Sequence, residues 1–283
     1  MVSDDRAPSA LAESIREQYL ELLKRILTRS GFESYSLVAR SWDPHPPIRR
    51  RLRDGMFAQM AKRGFLVVTQ MHDEDRVSGQ DWPSDAETMV GMRRLNHLQE
   101  CIETILQDRI PGDLIETGVW RGGASIFMRG VLSAYGVLDR TVWVADSFQG
   151  LPVPDGSYPA DVNSRHYDQP NLEVSESEVR RNFDRYGLLD DQVRFLAGWF
   201  KDTLSTAPID TIAIARLDGD MYESTIQALD ALYPKLSSGG FLIIDDYFIP
   251  ECREAVNDYR RHHTITDPVD PIDEQSAYWR KSN

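Results

Sequence analysis

The chain has 283 residues, 41% of them hydrophobic, with 45 acidic against 32 basic side chains for a formal charge of -13 and an isoelectric point near 4.9. That length suits one large α/β domain with additions, and the acidity excludes a nucleic-acid or anionic-membrane surface, since both need cationic faces. The two cysteines cannot build a disulfide framework, the N-terminus lacks a signal-peptide core and no run approaches the ~20 apolar residues of a membrane span, so a soluble, cytoplasmic protein acting on a small molecule is expected.

From the front, apolar residues at Leu11, Ile15, Tyr19, Leu22, Leu23, Ile26 and Leu27 predict an amphipathic helix over 10–29. Its stripe is open to packing on the rest of the chain or on a second copy in a homodimer. Asp43-Pro-His-Pro-Pro47 reads as a loop, because its prolines can neither continue a helix nor join a central strand. The polar stretch from Met71 to Pro83 predicts a mobile, lid-like segment, followed by a helix over 85–106. Residues 1–108 are thus expected to form a helical cap or lid and residues 109–283 the main domain.

The second part opens on DLIETGVWRGGAS, Asp113 to Ser125, in which an apolar run meets Glu116 and then a glycine-rich turn. The glycines are spaced GxxxGG rather than GxGxxG, which disfavours a pyrophosphate cradle, while an acid at a strand end repels phosphate and accepts hydrogen bonds. S-adenosylmethionine fits that chemistry better than NAD. A dehydrogenase would also want a Tyr-Lys pair, and none is evident. After a helix-length segment, TVWVADSF ends in Asp146, placed to take both ribose hydroxyls. Ser125 at the helix start is placed to donate to a cofactor carboxylate. Further runs QVRFLAGWF, TIAIARLD and GFLIIDDY alternate with helical segments, and HTITDPVDPIDEQSAYWRK reads as a terminal antiparallel hairpin. The pattern predicts a class I methyltransferase fold: α/β, Rossmann-like, with a mostly parallel seven-stranded sheet.

A second constellation is acidic. Asp218 and Asp220 follow TIAIARL, and Asp245 and Asp246 follow the next strand, so parallel pairing brings them to one sheet edge. Hard oxygen ligands on several sides suit Mg²⁺. Asp220 stands where it could merely cap the next helix, which leaves Asp218, Asp245 and Asp246 as the expected ligands. An acceptor hydroxyl must lose its proton as it attacks, and Asp218 is the expected base, with His166 in the loop SRHYDQP as runner-up.

Taken together, GVWRGG, VADSFQGLP, AGWF, LDGDMYEST and IDDYFIPECREAV resemble the macrocin O-methyltransferase family from about Tyr19 to the C-terminus. The resemblance implies S-adenosylmethionine as cofactor, Mg²⁺ as metal, and as substrate a deoxysugar already attached to an antibiotic aglycone. It further implies Glu116 and Gly118 beside the methionine part of the cofactor, Asp146 on the ribose, Gly198, Trp199 and Phe200 along the adenine, and Thr88 and Met89 at the entrance. The preferred acceptor is the 4-hydroxyl of noviose on an aminocoumarin such as a novobiocin precursor. A macrolide sugar of the tylosin or mycinamicin type, or a catechol, are the alternatives.

Overall fold

Apolar runs and helix-length segments alternate through the chain as the sequence pattern requires. The computed structural model describes residues 9–33, 35–37, 55–57, 59–60, 62–65, 68–70, 72–80 and 83–282; the proline loop at 43–47 lies outside them. In chain order come α1 (Ala10–Thr28), the antiparallel pair β1 (Tyr35–Leu37) and β2 (Val68–Gln70), α2 (Asp73–Ser78) and α3 (Met92–Gln107). The main alternation follows: β3 (Asp113–Thr117), α4 (Gly123–Ala134), β4 (Val142–Asp146), α5 (Glu176–Arg185), β5 (Val193–Ala197), α6 (Phe200–Thr203), β6 (Ile212–Leu217), α7 (Tyr222–Leu232), β7 (Leu236–Ile244), α8 (Pro250–His262), β8 (Asp270–Pro271) and β9 (Ala277–Arg280).

β3 to β7 pair in parallel, β9 runs antiparallel to β7, and β8 closes the edge, giving the seven-strand order β5-β4-β3-β6-β7-β9-β8. Strand parity divides the core into two layers. Leu114, Val142, Val144, Ile214 and Ile243 pack under α1, α3, α4 and α5, while Ile115, Trp143, Ala215, Leu242 and Ile244 pack under α7 and α8 with Trp279. Helices cover both faces, which is why the central strands are apolar on both sides. Among the described residues, no helix is long and apolar enough to cross a membrane.

α1 begins where Ser9 accepts a hydrogen bond from the Ala12 amide at 3.2 Å, and ends at Arg29 with φ of 59°. Leu20, Leu23 and Leu27 are buried. Leu23 lies where α1 passes close to α4, since a Cβ on Gly130 would sit 2.4 Å from Leu23 Cδ2. Leu11, Ile15 and Leu22 of the expected stripe face outward, 70%, 57% and 54% exposed.

The segment expected to be a mobile lid carries the short helix α2, which Gly79 ends at φ of 70°. One expectation is corrected: the following helix starts at Met92 rather than Asp85. Residues 85–91 instead run irregularly across the start of α4, where the Gly123 amide donates to the Glu87 carbonyl at 2.9 Å and the Glu87 amide donates to the Leu27 carbonyl at 3.1 Å.

Candidate active site

β3 and β6 are neighbours in the sheet although β4 and β5 lie between them in the chain, so the connections leave in opposite directions and open a crevice at the strand ends. The turn after β3 enters it at Gly118. Its φ is 79°, and a Cβ there would lie 1.6 Å from the Asp218 carbonyl oxygen; glycine alone meets both conditions. Asp146, at the end of β4, steadies this turn by accepting the Val119 amide at 2.8 Å and the Phe148 amide at 2.7 Å, one on each carboxylate oxygen. Each oxygen keeps lone-pair capacity for a ligand hydroxyl. Burial raises the Asp146 pKa, opposed by the Phe148, Val119 and Trp120 amides.

A cavity of about 270 Å³ opens there, walled among others by Trp120, Asp146, Leu151, Trp199, Phe200 and Asp218. Gly198 turns the chain at φ of 140° while its amide donates to the Asp146 carbonyl at 2.9 Å. That turn delivers Trp199 and Phe200 to the wall at the start of α6, where an aromatic face can stack on a purine. Gly198 itself stays behind them. Met89 also lines the cavity.

Asp218 follows β6 and Asp246 follows β7. Asp220 reaches them through a left-handed residue, φ 56°, with its amide donating to Asp246 Oδ2 at 3.0 Å. One carboxylate oxygen from each of the three lies within 4.8 Å of the others. Burial, then Asp218 and Asp245, push the Asp220 pKa to about 8; burial, then Asp220 and Asp245, push Asp246 to about 8. Asp218 is also raised well above the ordinary carboxylate range, by burial and by Asp245 and Asp246, against the opposing pull of Arg216. Oxygen donors crowded enough to retain protons are relieved by a hard divalent cation, so the donor set fits Mg²⁺.

The cluster of acids differs from the expected ligand set in one member. Asp245 Oδ2 accepts from Arg94 Nη1 at 2.7 Å and Oδ1 pairs with Arg216, so two arginines occupy it. Asp220 takes the place in the cluster because it is not the helix cap. Asp161, from the connection after β4, does that work, accepting the Tyr222 and Glu223 amides at 2.8 Å each.

Other expected contacts are redirected. Glu116 faces the layer under α3 and α4, where it accepts from Arg216 Nη1 at 2.5 Å and from the hydroxyl of fully buried Ser125. Both side chains are consumed inside the protein, and neither lines the cavity. Thr88 is buried too, its hydroxyl accepting the Val90 amide at 3.0 Å. His166 opens the short 3-10 turn His166–Asp168, while the wall from this connection is made by Leu151, Pro152, Val153 and Leu172. The sequence reading passed over Lys201, Glu223, Ser224 and Gln227, which also line the cavity, and Arg94 and Arg216 beneath the acids. For Arg216 the signal was a lone charge inside the apolar strand TIAIARL; for α7, the fact that a helix beginning at the crevice turns its first two turns toward it.

A doubly wound sheet with a glycine turn, a second-strand acid and an acid cluster at its switch point defines a class I methyltransferase fold. A model of the family described as macrocin-O-methyltransferase (TylF) matches residues 16–281. The chain belongs to that family and is an O-methyltransferase. It is 54% identical over 213 residues to the demethyldecarbamoylnovobiocin O-methyltransferase of Streptomyces niveus, covering 74% of this chain and 81% of that one. It is 50% identical over 270 residues to the mycinamicin III 3''-O-methyltransferase of Micromonospora griseorubida, covering 94% and 97%. Among solved structures, the O-methyltransferase NovP superposes with a TM-score of 0.81 at 45% identity, covering 95% of this chain and all of that one.

Proposed function

We propose that this enzyme methylates a hydroxyl of a deoxysugar on an antibiotic, using S-adenosylmethionine and Mg²⁺, and that the acceptor is the 4-hydroxyl of noviose in a novobiocin precursor. The observation that carries the reading is the meeting of Asp218, Asp220 and Asp246 beside a cavity whose lining includes Asp218 and Asp220 together with Gly118, Asp146 and Trp199. Asp146 would take the ribose hydroxyls and Trp199 the adenine. When bound, S-adenosylmethionine supplies an electrophilic methyl carbon and Mg²⁺ lowers the pKa of an adjacent sugar hydroxyl. Asp218, whose carboxyl is held above the ordinary carboxylate range by burial and by Asp245 and Asp246, would accept the proton of the acceptor hydroxyl. The 54% identity to the demethyldecarbamoylnovobiocin enzyme favours noviose. A macrolide sugar is the second reading, favoured by the longer match to the mycinamicin III enzyme.

Methyl transfer from S-adenosylmethionine to demethyldecarbamoylnovobiocin and to mycinamicin III, with Mg²⁺ and then with EDTA, tests this. We expect transfer to the first acceptor, its loss in EDTA, and a fall of at least ~10²-fold in kcat for Asp218→Asn, the usual scale for a general base. Transfer that survives EDTA removes the metal from the reading; transfer to mycinamicin III alone replaces noviose by a macrolide sugar.

A further inference from the structure

We propose that Arg216 is a positioning residue that sorts the acids at the strand ends, deciding which carboxylates remain for the metal and which are consumed within the protein; the inference rests on the Mg²⁺ reading above. Arg216 lies on β6 directly opposite Glu116 on β3, with its side chain 3% exposed. Its guanidinium reaches three carboxylates. Nη1 donates to Glu116 Oε1 at 2.5 Å and to Asp218 Oδ2 at 2.9 Å, and Nη2 pairs with Asp245.

These contacts treat the acids unequally. Glu116 is fully engaged, because its second oxygen accepts from Ser125. Asp245 stands between two arginines: Arg94 donates to Oδ2, and Oδ1 is in ion-pair contact with Arg216 Nη2 without accepting a hydrogen bond from it. Asp218 accepts from Arg216 through Oδ2, which leaves Oδ1 for a ligand or a proton. Asp220 and Asp246 receive nothing from Arg216. Five carboxylates thus become two internal partners, one oriented ligand and two further ligands. A planar guanidinium can span three acids in this way, whereas an ammonium acts as a point charge with no fixed fork.

The test is Mn²⁺ binding by electron paramagnetic resonance, alongside calorimetric binding of S-adenosylhomocysteine, in the full-length protein. For Arg216→Lys we expect Mn²⁺ affinity to fall roughly 10–100-fold, the usual cost of losing a group that orients a ligand, while S-adenosylhomocysteine affinity stays within about threefold. A merely structural role would lower both together. Should Arg216→Lys not fold, the pair Arg216→Met with Glu116→Gln removes both halves of one ion pair and is expected to show the same selective loss. Mn²⁺ affinity equal to wild type in whichever variant folds, or a parallel loss of both ligands, overturns the role of Arg216. A wild-type protein that does not bind Mn²⁺ overturns the metal reading itself, and Arg216's role with it.

Discussion

His97 packs against Tyr278 with ring centroids 4.2 Å apart, and burial lowers its pKa from 6.5 to about 4 despite the opposing charge of Asp273. The unfolded chain therefore protonates this imidazole near 6.5 and the folded one only near 4. A depressed histidine contributes stability above the unfolded value and loses it as pH falls through that window. Denaturant midpoints at pH 7 and pH 4.5 should fall less in His97→Gln than in wild type; equal falls would show that the buried ring carries no such linkage. Other single residues show what a sequence can and cannot disclose. Gly118, Asp146 and Asp218 were legible as residues of the crevice, which all three line, because their positions follow from place in a strand-turn pattern. Glu116 and Ser125 stood in that pattern too, yet parity turns Glu116 toward α4, where a serine and an arginine meet it. Which of two adjacent acids, Asp245 or Asp246, faces an arginine is a tertiary fact that no spacing encodes.

At the level of elements, α1 was legible as a helix from its apolar spacing, but its stripe is wider than its contact. Leu20, Leu23 and Leu27 are buried on the side that meets α4, whereas Leu11 is 70% exposed. Leu27→Ala is expected to cost about 2–5 kcal/mol and Leu11→Ala less than about 0.5 kcal/mol, read as the shift in urea-unfolding free energy; similar costs would mean that the outer stripe is covered in solution. The five parallel strands were readable because each is an apolar run followed by an acid or glycine. α2 was not, because Asp73-Glu-Asp-Arg76 offers no apolar face, and the start of α3 was misplaced because residues 85–91 are held by backbone contacts to α1 and α4 instead of by their own helix propensity.

Across the whole molecule, Arg94 joins three distant parts of the chain. From α3 it donates to Asp245 at the end of β7 at 2.7 Å and to Asp273 before β9 at 2.8 Å, and it also pairs with Gln275. Truncating a buried partner leaves its acids unpaired, so Arg94→Ala should destabilise the fold by about 3–5 kcal/mol. Equilibrium unfolding measures this, and a change below about 1 kcal/mol would show that the hairpin docks without it. The close approach of Gly118 to the Asp218 carbonyl, where a Cβ would stand at 1.6 Å, has a wider bearing. Main chain touches main chain there, so the interval between the turn at Gly118 and the strand end that carries the acids is gauged by backbone atoms and not by side chains. Substitutions elsewhere in the cavity leave that gauge as it is. Enzymes sharing this core can therefore reshape the cavity walls at 150–153 and α7 while the interval between the Gly118 turn and the Asp218 strand end stays constant.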